Sequence, residues 1–266
     1  MFSVVGKSDL AMFLLGSMMD NQPGTVRLAH DQGIQQPESK TMKIYYHPVS
    51  TTSRMLMLFV EDCRIEVDWR LVDLFTGEHV QPNYLTLNPS GMVPMLEEDD
   101  GFRLSESSTI LKYLAEKIGS PTYPRELRQR TKVNEMMDWL NTQFYRDFAY
   151  GLVYPQLYPH LRRPTDEQQA GTLAWGREKT KSWLTILDRH LIGPSRPYLC
   201  GQDITIADYF GAPMLTAGEL IRCDFSPYPN ITRWLGHVKA RPGWDRVNRA
   251  FNELAGSLKD QPFEVL

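Results

Sequence analysis

Two kinds of hydrophobic spacing follow one another along this chain. Ile65, Val67, Trp69 and Leu71 alternate with Glu66, Asp68 and Arg70, the two-residue period of a half-exposed strand. Lys43 to His47 predicts a shorter strand ahead of it, and Thr52 to Glu61, with Met55, Leu56, Leu58 and Phe59 apolar, predicts the helix between them. After a loop from Phe75 to Asn88 come two further strand candidates, Val93 to Glu97 and Phe102 to Leu104, separated by the turn residues Asp99, Asp100 and Gly101. A helix from Ser107 to Lys117 closes the unit. The order β-α-β, loop, β-β-α predicts a small mixed sheet flanked by helices.

Beyond Pro121 and Pro124 the two-residue period disappears and helical spacing takes over. Val133, Met136, Met137, Leu140 and Phe144 form one apolar stripe, and Ile231, Trp234, Leu235 and Val238 another. Asp203 to Asp208 reads as a helix start in which Thr205 caps and the Asp208 carboxylate returns to the Thr205 amide, and Pro213 is expected to kink that helix. The pattern predicts an α/β domain over 42–122 and an all-helical domain over 125–266. Residues 1–41 carry Gln, Pro, Gly, Ser and charge without periodicity from Asn21 onward, and are expected to be a disordered extension. Lys7 precedes a mixed apolar stretch from Leu10 to Met19, but Asp9 and Asp20 flank it and no A-x-A site follows, so a secretory leader is not expected.

Composition narrows the function. With 266 residues, 42% of them hydrophobic, the chain can bury a core. A formal charge of −3, with both signs scattered, offers no basic patch for nucleic acid. No apolar run is long enough to span a bilayer. Cys63, Cys200 and Cys223 are far apart and have no CxxC or His spacing suited to zinc. A small-molecule partner, no metal, no nucleic acid, no membrane and a reducing, cytoplasmic compartment are the expectations.

Four motifs carry chemistry. They are His47-Pro48-Val49-Ser50-Thr51-Thr52-Ser53-Arg54, then Val72-Asp73-Leu74 with Gly77-Glu78-His79, then Asn88-Pro89-Ser90-Gly91-Met92-Val93-Pro94, then Ser105-Glu106-Ser107-Ser108. On the residues alone each has two readings. Ser50 caps the first helix or turns its hydroxyl to a ligand. Pro94 enters a strand or forms a cis turn. Glu106 and Ser107 cap a helix or open an anion site, and His79 is a solvated loop histidine or a ligand contact. Tyr145, Arg146 and Tyr150, in a run of aromatics that continues through Tyr154 and Tyr158, pack a core or line a pocket. Trp139, Trp183 and Trp234 read as core.

In this order the motifs resemble those of cytosolic glutathione transferases of the theta type and of related bacterial dehalogenases that use glutathione, over nearly everything from Met42 onward. The resemblance implies a thioredoxin-like glutathione-binding domain followed by a helical bundle, and glutathione as co-substrate. It implies that Ser50 donates to the glutathione sulfur and holds it as a thiolate. Val93, ahead of a cis Pro94, would pair with the cysteinyl backbone. Ser107 would take the γ-glutamyl carboxylate, Glu106 would face the ammonium, and His79 would approach the glycyl carboxylate. Arg54 is expected to hold charge near the sulfur. Tyr145, Arg146 and Tyr150 become the expected electrophile pocket, with Arg146 meeting developing negative charge. Met92 departs from the pattern, which often has lysine there. Cys63 falls on the first helix and not at the Ser50 position, which argues against a cysteine mechanism.

The function implied is conjugation of glutathione to an electrophilic, halogenated or hydrophobic substrate, a detoxification chemistry carried out by a homodimer. Glutathione-dependent reduction or isomerisation needs the same thiolate. A non-catalytic protein that binds glutathione or a partner on the same fold is the reading from another class.

Overall fold

A computed structural model describes residues 42–266; the expected extension 1–41 lies outside the described residues. Strand β1 (Met42–Tyr46) leads into helix α1 (Thr51–Cys63), and β2 (Val67–Leu71) returns parallel to β1. A short 3-10 turn (Glu78–Val80) and α2 (Pro82–Leu85) precede β3 (Met95–Glu97), which runs antiparallel to β1 and pairs with β4 (Arg103–Leu104). Helix α3 (Ser107–Lys117) follows. The sheet order is β2-β1-β3-β4. This is the expected β-α-β, β-β-α arrangement.

β2 departs from the pattern in two ways, each for a local reason. β2 starts at Val67 and not at Ile65, because the Ile65 amide donates to Val60 O as part of the end of α1. β2 is also an edge strand, so Leu71 is 50% exposed although its alternation marks it as inward.

Among the described residues every named element after α3 is helical, apart from an isolated bridge between Tyr198 and Gly201. Helix α4 (Leu127–Trp139) continues through the π-helical turns Leu140–Tyr145 and Ala149–Val153, on either side of Arg146–Phe148, and closes in Tyr154–Leu157. Such π turns shift side chains out of the 3.6-residue register and recur near functional sites. The long α5 (Asp166–Ile186) crosses it closely: a Cβ on Gly176 would overlap the carbonyl of Gly151, so only glycine fits there. Helices α6 (Ile206–Thr216), α7 (Pro229–Lys239) and α8 (Trp244–Ser257) complete the bundle.

Helix α6 is buried along its whole length and runs through Pro213 as one element. It packs along α1 and so joins the two parts of the molecule. Both predicted stripes are buried, with Val133, Met137, Leu140 and Phe144 in one and Ile231, Trp234 and Val238 in the other each at 1% exposure or less. Of the three tryptophans read as core, Trp234 is fully buried, while Trp139 and Trp183 are half-buried at its margin.

The Asp208 carboxylate does return to the Thr205 amide, at 2.7 Å, and also accepts from the Leu199 amide and from Trp234 Nε1 in α7, both at 2.8 Å. Burial pushes its pKa up while these donors pull it down. Its place is architectural.

Candidate functional site

Ser50 ends the loop that leaves β1. Its amide donates to His47 O at 3.0 Å, and its side chain accepts from the Ser53 amide at 3.3 Å, so it caps α1. The residue is nevertheless half-exposed at a helix N-terminus, where the positive end of the peptide dipoles favours an anion. Capping and facing a ligand are compatible here.

Ser50 is one of a group of hydroxyls. Its Oγ lies 3.1 Å from Thr52 Oγ1, and Thr52 in turn donates to Val93 O at 2.9 Å. Beneath them His47 is 3% exposed, with the edge of Phe75 against its ring, and burial lowers its pKa to about 4 in spite of Asp73.

The Val93-Pro94 peptide is cis. The turn before it is held by two donors to one carbonyl: Tyr84 OH and Asn88 Nδ2 both reach Met92 O at 2.7 Å. Gly91 adopts φ +61, and a Cβ there would stand 3.1 Å from His79 O. The motif's glycine thus lets the turn pass directly beneath the His79 loop.

His79 is half-buried, and its Nδ1 is fully buried without a partner among the described residues. Desolvation lowers its pKa, and His160 from the helical part adds to the effect. Met92, next to this loop, is 52% exposed and brings no charge.

At the start of α3 the cap residue Glu106 is exposed and makes no capping bond with its side chain. Ser107 behind it is 8% exposed. First-turn amides that the cap leaves without an acceptor form an anion site.

Against Thr51, next to Ser50 in the chain, stands a cluster of tyrosines from the continuation of α4. Tyr154 OH donates to Thr51 Oγ1 at 2.8 Å, so the 2.6 Å contact between Tyr145 OH and Tyr154 OH has Tyr145 as donor. The Tyr150 ring stands edge-on to Tyr145 and Tyr154 at 5.7 and 5.2 Å, and is itself 40% exposed. Tyr145 is 7% exposed and belongs to the wall of the cluster, while Tyr150 is the ring that meets solvent. Desolvation raises the pKa of all three, which keeps them neutral donors.

Two arginines are not where the sequence reading places them. Arg146 belongs with Asp147 and not among the tyrosines: its Nε bonds Asp147 Oδ1 at 2.7 Å, and Trp183 Nε1 of α5 binds the same carboxylate at 2.8 Å. Adjacent residues of one helix point about 100° apart, so Tyr145 and Arg146 face different sides.

Arg54 is fully buried and reaches α6 and α8. It donates to Thr216 Oγ1, Asn248 Oδ1 and Pro213 O at 3.2, 2.7 and 3.2 Å, with its guanidinium 3.6 Å from the centre of the Phe251 ring. Burial lowers its pKa to about 10, in spite of nearby tyrosines and Glu219.

Thr51, Thr52 and Tyr154 were not singled out in the sequence, although the run of four hydroxyl residues from Ser50 to Ser53 was a signal. The protein's own cysteines are poor nucleophiles, since burial pushes Cys200 and Cys223 up to about 12 and raises Cys63. Among the described residues there is no cluster of metal-ligating side chains and no helix long and apolar enough to cross a membrane.

The sequence matches the profile of the glutathione S-transferase N-terminal domain over residues 49–117 and that of the C-terminal domain over 153–242. A delta-class glutathione transferase of Nilaparvata lugens is 30% identical, with 82% of this chain and 98% of that one covered at a TM-score of 0.68. Human glutathione transferase theta-2, in complex with glutathione and an unknown ligand, is 27% identical over 82% of this chain and 89% of that one, at a TM-score of 0.69. Human glutathione-S-transferase T1-1 in its apo form is 26% identical over 84% and 93% of the two chains, at a TM-score of 0.70.

Proposed function

This chain belongs to the glutathione S-transferase family, and we propose that it activates glutathione with the Ser50 hydroxyl and adds the thiolate to an apolar electrophile held against the tyrosine cluster. It is a transferase enzyme of the thioredoxin-like plus helical fold. The observation that carries the proposal is the double contact of Thr52 with Ser50 and with Val93 O. It puts the hydroxyl of Ser50 one side chain away from the peptide edge on which a cysteinyl residue would pair, so that the sulfur of that residue comes to Ser50.

The remaining contacts follow from glutathione's own chemistry. Its γ-glutamyl carboxylate suits the uncapped start of α3 at Ser107, with the exposed Glu106 carboxylate near the ammonium. Its glycyl carboxylate suits His79, half-buried in the loop after Gly77. A free thiol has a pKa of about 8.5, and a hydroxyl donor together with a helix N-terminus stabilises the anion. The thiolate lone pair then forms a carbon–sulfur bond, and the electrons of the bond that breaks leave with a halide or pass into the electrophile. Tyr150 offers a ring face and a neutral hydroxyl to that second substrate.

We place the chain on the theta-like side of the family on Ser50 and on His79 after Gly77-Glu78, as a homodimer in a detoxifying role. Three free cysteines support a reducing, cytoplasmic setting.

The test is the ultraviolet thiolate absorbance of bound glutathione against pH, in the native protein and in Ser50→Ala. The expected result is a bound-thiol pKa well below the free value that moves back toward it in the variant. Glutathione bound with an unshifted pKa would overturn the serine mechanism.

A further inference from the structure

We infer that Thr52 is a positioning residue whose hydroxyl changes partner when glutathione binds, leaving Val93 O for the ligand and turning to donate to Ser50. The inference rests on the reading of Ser50 as thiolate donor and of Val93 as the docking edge.

It follows from counting protons. A threonine hydroxyl has one hydrogen to donate and lone pairs to accept with. In this structure Thr52 gives its hydrogen to Val93 O at 2.9 Å. The 3.1 Å contact between Thr52 Oγ1 and Ser50 Oγ must then be donated by Ser50. Ser50 Oγ meanwhile accepts from the Ser53 amide at 3.3 Å. The one hydrogen that Ser50 could give to a sulfur is therefore turned toward Thr52.

A cysteinyl N–H arriving at Val93 O shares that carbonyl with the Thr52 hydroxyl and weakens its hold on it. Rotation about the Thr52 Cβ–Oγ1 bond reverses the 3.1 Å contact without moving a heavy atom. Ser50 then accepts from both Thr52 and the Ser53 amide, and its own hydrogen is free for the sulfur. A hydroxyl that accepts two hydrogen bonds is a stronger donor, because hydrogen-bonded chains polarise one another. Docking of the ligand's backbone thus arms the group that binds its sulfur.

The ionisable groups around this network come from three directions: His47 at the end of β1, Tyr154 through Thr51, and Arg54 one turn along α1. Burial holds His47 neutral above the acid range and raises Tyr154, so neither titrates where a bound thiol does.

The experiment titrates bound glutathione by thiolate absorbance in Thr52→Val, Thr52→Ser, Ser50→Ala and the Ser50→Ala/Thr52→Val double variant. Valine keeps the branched shape of threonine and removes only the hydroxyl. The expected result is a thiol pKa raised by roughly a tenth to a third of a unit in Thr52→Val, the share by which a neighbouring bond strengthens a hydrogen bond worth about one unit, with Thr52→Ser returning to the native value. The double variant should match Ser50→Ala alone. An unshifted pKa in Thr52→Val would overturn the inference while leaving Ser50 in place, and so would a shift that adds in full to that of Ser50→Ala. If Ser50→Ala itself has no effect, the serine mechanism falls first and the role of Thr52 with it.

Discussion

The hydroxyl of Tyr154 donates to Thr51 Oγ1 at 2.8 Å, across the junction between the helical part and the first turn of α1. Tyr154 also accepts from Tyr145 at 2.6 Å. The segment proposed to hold the electrophile is thereby tied to the helix start that carries Ser50. Tyr154→Phe removes both bonds and leaves the buried Tyr145 hydroxyl unpaired, so it should cost about 2 kcal/mol or more in urea unfolding. Thr51→Val should cost about 1 kcal/mol, and the pair together little more than Tyr154→Phe alone. Full additivity in that cycle would show that the contact carries no energy.

His47 makes stability depend on pH. Its pKa falls from 6.5 to about 4 in the folded protein, chiefly by desolvation, so between these values the unfolded chain binds more protons. The contribution is whole above pH 6.5, declines as the pH falls, and is fully lost below about pH 4. The loss amounts to up to about 3 kcal/mol. Urea unfolding of His47→Gln between pH 7 and pH 4 should show a shallower decline than the native protein; parallel curves would assign the acid sensitivity elsewhere.

Arg54 holds three neutral acceptors from α6 and α8 and lies on the Phe251 ring. Arg54→Ala removes the packed stem and leaves buried acceptors unpaired, which together should cost about 3 kcal/mol or more. Arg54→Met, which refills the volume, should recover part of it, as read by the urea midpoint.

Met92 stands exposed beside the His79 loop without a charge. In Met92→Lys an added ammonium near the glycyl carboxylate should tighten glutathione binding by roughly three- to five-fold, the strength of an exposed ion pair. Calorimetric titration at low and high salt checks this, because the gain should shrink with screening. No gain at low salt would place the glycyl end elsewhere.

Much of the architecture is legible in spacing. The helix from Ser107 to Lys117 has the predicted bounds, the stripes from Val133 and from Ile231 are buried, and the strand order emerges with ends moved by a residue or two. Periodicity reports which face of an element is apolar, and capping residues report where it starts. The motifs likewise placed Ser50 at a helix start and Val93 before a cis proline.

What the sequence could not report is the partner each side chain finds across the fold. Arg54 and Asn248 are far apart along the chain, as are Tyr154 and Thr51, and nothing in local spacing says that they meet. Arg146 looks like a pocket cation beside Tyr145, yet the turn of the helix gives it to Asp147 and Trp183. Thr52 looks like filler between Ser50 and Ser53 until the Val93 turn folds against it and accepts its hydrogen. The chain alone determined the elements, their apolar faces and the family chemistry, because these are local or repeated patterns. Tertiary structure decided where single polar hydrogens and charges go, because that depends on which distant carbonyl or carboxylate is brought within about 3 Å.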